Sequence, residues 1–397
     1  MVKDNSKLFI LVLLGMLTAF GPFVTDMYLP SLPSMGEYFS TSSSMVQLGL
    51  TTSMIGLAVG QIFFGPLSDR YGRRIPLQVA MWLFIVSTIF CLLAQNIQQF
   101  VAFRLIQGIA GAGGIVIARS IATDKFSGKD LAKMGAINGI APVVAPIIGG
   151  VFTEAIGWQG IFIILLVLGV LLLIGCMRFR ESLPAENRLA TKWADTFNSF
   201  KVVLRNKQYV CYVLQLAFAQ GVLFAYIASS PFIIQQHYGY SPFAFSICFS
   251  INAIAIGGAA AFSVKFRRPA NGTLVGCMGM LIFSLLECSA LALGCSFWIY
   301  ELLLIAVLFM MGMTFTTSTA LAMECERTNA GTASALLGAV CFSFGGIVSP
   351  LVGIGNILVS TGVIFVICSF CSLSCILLAL GRRRTKLYFA FSTSQKR

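Results

Sequence analysis

The chain has 397 residues, of which 57% are hydrophobic and 10% are charged, and its mean hydropathy is +0.89. A soluble domain of this size needs a far more polar surface, so the composition excludes a soluble protein and predicts a polytopic membrane protein. The formal net charge of +13 does not indicate nucleic acid, because basic loops beside a bilayer face anionic lipid headgroups. We therefore expect membrane lipids as partners and no nucleic acid.

Twelve apolar runs are long enough to span a bilayer, which takes about 20 residues per helix. In chain order the predicted spans are residues 8–29, 45–66, 75–95, 98–119, 132–155, 158–177, 209–233, 241–263, 271–294, 297–320, 330–352 and 356–380. The twelve cysteines fall mostly inside these runs, where thiols behave as small apolar groups. We expect no disulfide, no metal and no cofactor.

The longest hydrophilic stretch divides the spans six and six. We predict an all-α fold with a first six-helix bundle at 1–177, a cytoplasmic linker at 178–207, and a second bundle at 208–397 ending in a basic tail. Trp193, Phe197, Phe200 and Leu204 have the spacing of an interfacial amphipathic helix within the linker. A disordered loop fits the low apolar content of the linker equally well.

Basic residues give the predicted orientation. All but one of the 27 Lys and Arg residues fall at the termini, in the linker or in alternate loops, and the exception is Arg104. Because positive charge accumulates on the cytoplasmic side, both termini are predicted to be cytoplasmic.

A few charged residues lie inside the predicted spans. Asp26, near the outer end of the first span, and Arg104, about six residues into the fourth, are at similar depth. A buried charge there is costly unless it meets a partner or a water-filled cavity, so both are candidates for function, with a purely structural ion pair as the alternative. Glu287 and Glu301 are possible secondary carboxylates, with a structural or interfacial role as an equally good interpretation.

The loop after the second span reads Gly65-Pro-Leu-Ser-Asp69-Arg70-Tyr-Gly72-Arg73-Arg. It resembles the signature of the major facilitator superfamily, which has the form G-x-L-(A/S)-D-R-x-G-R-(R/K). The resemblance implies a major-facilitator fold of twelve helices. It also implies a cytoplasmic gate, in which Asp69 with Arg70 and Arg73 locks one conformation while the two glycines permit a tight reversal.

Two further motifs narrow the resemblance to proton-coupled drug exporters within this superfamily. The fourth span contains Arg104-Leu-Ile-Gln107-Gly, similar to the R-x-x-Q-G motif of proton-coupled exporters, whose Arg is implicated in coupling. The fifth contains an A-P-x-x-G-G form of the antiporter motif, carried by Pro142, Pro146, Gly149 and Gly150. This form, with residues 25–33, 229–232 and 331–338, is similar to the bicyclomycin-resistance (Bcr/CflA) branch of drug:proton antiporters.

The resemblance implies a multi-pass monomer of the bacterial inner membrane. We expect a proton-coupled multidrug efflux antiporter that exports small amphipathic or uncharged compounds, similar to chloramphenicol or bicyclomycin, by alternating access. One alternative is export of an endogenous metabolite such as a siderophore or an amino-acid derivative. A proton-coupled nutrient symporter is disfavoured by the small residues around Pro146. No nucleophile, paired His or carboxylate dyad indicates an intramembrane enzyme.

In this interpretation Asp26 carries the proton, while Arg104 adjusts its proton affinity and holds it when it is deprotonated. Apolar and amide side chains are the candidates for the substrate cavity, although helix packing is an equal alternative for each. They are Phe23, Tyr28, Gln47, Met54 and Gln107 in the first half, and Gln215, Gln220, Tyr226 and Asn252 in the second.

Overall fold

The computed structural model describes residues 5–126, 129–184, 186, 188, 200–263, 265–326 and 330–394. Within these ranges every regular element is helical. The helices are α1 Lys7–Asp26, α2 Leu32–Tyr38, α3 Ser43–Tyr71, α4 Arg74–Leu92, α5 Ile97–Lys125, α6 Lys129–Arg178, α7 Lys207–Phe232, α8 Pro242–Ser263, α9 Pro269–Ala292, α10 Phe297–Cys325, α11 Ala330–Val348 and α12 Ile357–Ser394.

Eleven of these helices, all except the short α2, contain a segment long and apolar enough to cross a membrane. The helix α6 holds two spans, because Gly157 breaks it with φ 68° and ψ −172°. Since a positive φ is readily adopted only by glycine, this residue marks the turn between the fifth and sixth spans. The predicted all-α fold of twelve spans is confirmed for the described residues, while the cytoplasmic side of the termini stays a prediction.

Two helix ends differ from the predicted boundaries. The first helix ends at Asp26, three residues before the predicted end, and Pro30 cannot donate the next hydrogen bond to the Asp26 carbonyl. The helix α5 continues to Lys125, so Arg119 is an exposed residue within it and not the last residue of the span. A helix can extend beyond the hydrocarbon layer, because its backbone hydrogen bonds form within the helix itself, in lipid and in water alike.

Part of the predicted linker lies outside the described residues. Trp193 and Phe197 lie outside the described residues, whereas Phe200 and Leu204 belong to a short helical segment at 200–204. The predicted division of the chain into bundles at 178–207 stays a prediction.

The chain forms two compact units. The first comprises Met1–Lys192, Ile227–Ala253 and Ser349–Ile354, and the second comprises Trp193–Tyr226, Ile254–Val348 and Gly355–Arg397. In the second unit hydroxyl pairs join neighbouring helices: Thr273 to Thr317 at 2.8 Å and Ser284 to Ser369 at 2.9 Å. Such pairs stabilise packing in lipid, where apolar burial contributes little between helices.

Glycines bring α3 and α5 into backbone contact within the first unit. A Cβ atom on Gly108 would collide with the Ser53 carbonyl, and one on Gly56 with the Leu105 carbonyl. Small residues allow membrane helices to approach closely and so gain van der Waals contact. This contact holds Arg104, one turn before Gly108, against the neighbouring helix.

We predict that Gly108→Ala destabilises the protein by about 1–3 kcal/mol, because the added methyl group must push α3 and α5 apart. Gly257→Ala in α8 is the matched control, since a Cβ there meets nothing within 4 Å. Thermal unfolding of both purified variants in detergent measures the effect. Equal midpoints for Gly108→Ala and the wild type would contradict the close packing.

Candidate functional site

Asp26 is a buried carboxyl with a single partner. It is the last residue of α1 and is 8% exposed. Its Oδ1 atom accepts a hydrogen bond of 2.7 Å from the Thr25 hydroxyl, which also lies 3.1 Å from the Gly21 carbonyl. Among the described residues the Asp26 carboxyl has no further hydrogen bond. It is therefore able to change its protonation state without breaking an ion pair.

Arg104 is fully buried and held by three acceptors. One terminal nitrogen donates to the Val24 carbonyl at 3.1 Å, Nε donates to the Gly49 carbonyl at 3.4 Å, and the other terminal nitrogen donates to Gln107 Oε1. The guanidinium carbon lies 4.3 Å from the centre of the Tyr28 ring and 5.7 Å from that of Phe162. Carbonyl oxygens and ring faces both carry partial negative charge, so together they compensate a cation that cannot be deprotonated.

The direct contact expected between Asp26 and Arg104 is not present in this structure. Every nitrogen of the guanidinium lies more than 4.0 Å from the carboxylate oxygens. Main-chain carbonyls take the donors instead, and Thr25 takes the carboxyl. Tyr28 interacts electrostatically with both charged groups, which places the two in one neighbourhood. The structure thus shows no direct contact between the two side chains, and an effect of Arg104 on Asp26 stays a prediction.

Gln107 extends the Arg104 contacts to α4. Its Nε2 atom donates to the Thr88 hydroxyl at 2.7 Å, which in turn donates to the Phe84 carbonyl at 2.7 Å. Both ends of the Gln107 amide are therefore used, and the side chain is fully buried. Gln107 thus links Arg104 to α4, and its contact with a substrate stays a prediction.

The other cavity candidates of the first half differ in how far their side chains are buried. Tyr28 and Met54 are buried and Phe23 is half-buried. Gln47 is fully buried, and its Nε2 atom donates to the Ala228 carbonyl at 3.1 Å while Oε1 has no hydrogen-bond partner. The structure brings Tyr28 to Arg104, whereas Gln47 contacts the C-terminal end of α7.

Of the second-half candidates, Gln215 is the best defined. It is fully buried and its Nε2 atom donates to the Ser372 hydroxyl at 3.1 Å, which favours a packing role between α7 and α12. Gln220 is half-buried with an Oε1 atom that has no hydrogen-bond partner. Tyr226 and Asn252 are both buried.

The A-P-x-x-G-G segment lies on α6 and packs through its glycines. A Cβ atom at Gly149 would collide with the Met27 carbonyl, and one at Gly150 with the Ser246 hydroxyl. Pro142 and Pro146 lie inside the same helix, where each removes one backbone hydrogen bond. The segment therefore contacts both the end of α1, next to Asp26, and the helix α8.

The loop between α3 and α4 contains a charge cluster around Arg73. Arg73 forms an ion pair with Asp69 and a second one with Asp124 at 3.0 Å. Arg70 does not join this cluster as expected: it is exposed and lies 5.4 Å from the Tyr71 ring centre. The side chain of an exposed Arg gains little from an ion pair in water, so stacking on a neighbouring ring competes well. Asp124, on α5, was not found from the sequence.

Gly65 and Gly72 differ in the roles that the structure gives them. Gly72 adopts φ +89°, the region that favours glycine, and a Cβ atom there would also collide with the Glu181 carboxylate. At Gly65 a Cβ atom would meet only Val116, at an ordinary 3.6 Å. The tight reversal therefore depends on Gly72.

Glu181, just after the sixth span, is a second residue that the sequence did not single out. Its carboxylate accepts from the backbone N–H groups of Arg73 at 2.8 Å, Arg74 at 3.1 Å, and Ser182 and Leu183 at 3.0 Å each. Partial burial alone would raise the pKa of Glu181, but these four donors hold the pKa below its ordinary value. Glu181 fastens the start of the linker to the loop. An acidic residue directly after the basic pair Arg178 and Arg180 was the only sequence signal.

We predict that Glu181→Gln weakens the contact between the linker and the loop at neutral pH. The variant should also make the stability of the protein less sensitive to acid. Because the folded pKa is lowered, the carboxylate stabilises the fold above its unfolded pKa of about 4.3, and the stabilisation is lost as pH falls through the folded pKa. Thermal unfolding at about pH 7 and about pH 4 should give a smaller pH difference for the variant than for the wild type. Glu186→Gln is the exposed control, and parallel pH profiles for Glu181→Gln and the wild type would count against the assignment.

We also predict that Arg104→Lys fails to replace Arg104. An ammonium group cannot reach the Val24 and Gly49 carbonyls and the Gln107 amide together, nor stack flat on Tyr28. Transport in vesicles should fall by about tenfold or more, equivalent to about 1.4 kcal/mol. Arg205→Lys, at an exposed position, controls for the substitution itself. Wild-type transport by Arg104→Lys would show that only the charge matters.

The possible secondary carboxylates lie in the second unit, on α9 and α10. Glu287 is fully buried and Glu301 is 7% exposed. Both carboxyls are therefore enclosed by the protein, and their role as secondary carboxylates stays a prediction.

Taken together, twelve membrane spans and a charged loop between the second and third spans define a multi-pass membrane protein, and the family match makes it a transporter and not an enzyme. The chain belongs to the Major Facilitator Superfamily, whose sequence profile matches residues 11–350. As a multi-pass member of this family it is a protein of the bacterial inner (cytoplasmic) membrane.

Relatives place the chain further within the family. It is 37% identical over 369 residues to an uncharacterized MFS-type transporter, YdgK, of Bacillus subtilis, covering 89% of this chain and 90% of that protein. It is 29% identical over 371 residues to a bicyclomycin resistance protein homolog of Haemophilus influenzae, with the same coverage. The multidrug resistance protein D of Escherichia coli is 27% identical over 354 residues, covering 85% and 86%. The resemblance to the bicyclomycin-resistance branch is thereby confirmed.

Solved structures show the same fold. The crystal structure of a D-xylose-proton symporter superposes with a TM-score of 0.72 at 17% sequence identity, covering 94% of this chain and 97% of that one. At this identity the likeness concerns the fold alone.

Proposed function

We propose that the chain is a proton-coupled antiporter that exports small amphipathic or uncharged compounds, of the chloramphenicol or bicyclomycin kind, by alternating access. The observation that carries the proposal is Asp26, a buried carboxyl with one hydroxyl partner in the neighbourhood of the immobile Arg104 cation. Two relatives named for bicyclomycin and multidrug resistance support the choice of substrates.

Asp26 is the proton carrier in this mechanism. When it is deprotonated, its charge is stabilised by the Thr25 hydroxyl and by the field of Arg104. When it is protonated, the carboxyl is neutral and the cation remains compensated by the Val24 and Gly49 carbonyls. The two protonation states thus differ in local charge without rearranging Arg104, and substrate binding is favoured in one state over the other.

A single proton suffices energetically. A membrane potential of about 150 mV supplies about 3.5 kcal/mol for each charge that crosses. Exporting a neutral compound against a tenfold gradient costs about 1.4 kcal/mol. One titrating carboxyl can therefore drive accumulation of the substrate outside the cell.

Alternation between states also needs a gate, and we assign it to the loop between α3 and α4. Arg73 joins Asp69 of α3 to Asp124 of α5, while Glu181 joins the same loop to the end of α6. The Arg73 side chain is 7% exposed, whereas those of Asp69 and Asp124 are 38% and 22% exposed. Water can therefore reach both carboxylates when the ion pairs break and re-form during a cycle. Together they favour one arrangement of these helix ends.

We predict that Asp26→Asn abolishes uphill export and leaves binding largely intact, because the amide matches the carboxyl in shape but cannot release a proton. Purified protein in liposomes with an imposed pH gradient and chloramphenicol as substrate measures export, and equilibrium binding is measured on the same preparation. Export should fall to the level seen without a gradient, with affinity changed less than about tenfold.

Glu37→Gln, an exposed carboxyl on α2, is the matched control and should export as the wild type does. Uphill export by Asp26→Asn at the wild-type rate would remove Asp26 from the coupling mechanism. Downhill movement of chloramphenicol that persists in Asp26→Asn would show that the transport path itself is intact.

A further inference from the structure

Two surfaces of the first compact unit meet far from the loop between α3 and α4. One surface belongs to Met1–Lys192, and the other to Ile227–Ala253 and Ser349–Ile354. Gln47, where the surfaces touch, is separated from Tyr71 at the other end of α3 by about 36 Å, at about 1.5 Å per residue. That length exceeds the hydrocarbon layer of about 30 Å. This distal contact and the loop therefore lie at opposite surfaces of the membrane.

Hydrogen bonds from side chains join the two surfaces of the distal contact. The Gln47 Nε2 atom donates to the Ala228 carbonyl at 3.1 Å. The Glu154 carboxylate accepts from the Phe243 backbone N–H at 3.0 Å, in the first turn of α8. Such bonds contribute little net free energy, because water offers the same groups similar partners. The distal contact is therefore closed in this structure by interactions that water can replace.

Gln47 and Thr51 lie on the side of α3 that faces the distal contact. The opposite side of the helix is marked by Gly49 and Gly56, which pack closely on α5. Thr51 follows Gln47 by one helical turn, so the two side chains project from the same face. Both are buried.

Three buried polar atoms at the distal contact have no hydrogen bond to the described part of the chain. They are Gln47 Oε1, Thr51 Oγ1 and Ser349 Oγ. The 3₁₀ turn Ser349–Gly353 packs directly on α3, since a Cβ atom on Gly353 would lie 2.5 Å from Gln47 Oε1. A buried polar atom without a partner has lost its hydration with nothing in return. Closing the distal contact is therefore unfavourable at each of these three atoms.

We propose that Gln47, Thr51 and Ser349 are hydration sites that favour opening of the distal contact. When the two surfaces separate, water reaches the three groups and supplies the hydrogen bonds that the closed contact lacks. When the surfaces close, Gln47 Nε2 and Glu154 regain their partners, but the three groups lose water. These opposing effects keep the closed and open arrangements close in free energy. Opening at this surface has a transport role only if the chain exports by alternating access, as proposed above.

Hydrogen–deuterium exchange of the purified full-length protein, read by mass spectrometry, measures opening of the distal contact. Thr51→Val and Ser349→Ala each remove one unpaired hydroxyl with little change in shape. Each variant is read on the opposite surface, at residues 349–354 for Thr51→Val and at residues 44–54 for Ser349→Ala. We expect exchange there to slow by about fivefold, because the closed contact no longer buries an unpaired hydroxyl.

Ser53→Ala is the matched control. Ser53 is on the same helix and also has a buried hydroxyl without a hydrogen bond in the described chain, but its backbone packs against Gly108 of α5. Exchange at the distal contact should therefore equal that of the wild type. If either Thr51→Val or Ser349→Ala fails to fold, as judged by size-exclusion chromatography, the other variant tests the proposal from the other surface.

Three results would overturn the proposal. Faster exchange in Thr51→Val or Ser349→Ala would show that the hydroxyl holds the contact closed, as it would if it were paired through a bound water. Unchanged exchange in both variants would show that these groups do not influence opening. Equal slowing in Ser53→Ala would assign the effect to general helix stability. The measurement uses neither a substrate nor a proton gradient, so its outcome is separate from that of the chloramphenicol export assay.

Discussion

The hydrocarbon core of a bilayer supplies no hydrogen-bond partner, and this constraint determines how each polar group of the chain is placed. Arg104 shows the solution for a charge that cannot be removed. Carbonyls of α1 and α3, an amide on its own helix and two aromatic rings surround the guanidinium. The cation is therefore compensated without a carboxylate, which leaves Asp26 free of an ion pair.

Carboxyls meet the same constraint in a different way, because they can become neutral by binding a proton. Asp26 accepts a hydrogen bond from one hydroxyl and shares the neighbourhood of Tyr28 with the Arg104 cation. It can therefore carry a charge with a donor in place, or bind a proton without breaking an ion pair. Glu287, in contrast, is fully buried and has no hydrogen-bond donor at either oxygen among the described residues. The two carboxyls therefore differ in their surroundings, one with a hydroxyl partner and the other with none among the described residues.

Close contact between helix backbones fixes the positions of the polar groups around these side chains. Gly108 against Ser53 and Gly149 against Met27 remove the side-chain layer that normally separates helices. Main-chain carbonyls then come within reach of side chains on the next helix, as Gly49 does for Arg104. At the membrane surface Gly72 plays a similar part, since its positive φ turns the backbone N–H groups that follow toward the Glu181 carboxylate. Close packing and polar compensation are thus parts of one arrangement.

Hydropathy and charge are local properties of a sequence, and for that reason the number of spans, the family and the loop motif could be predicted from residue order alone. Asp26 and Arg104 stand out for the same reason, because a charge within an apolar run is visible without a structure. The partners of these residues could not be predicted. Arg73 meets Asp124 from 51 positions away and Glu181 from 108, and Gln107 and Gln215 donate hydrogen bonds to hydroxyls on other helices. Which side chain meets which is decided by the rotation and spacing of packed helices, and these depend on contacts between segments far apart in the chain.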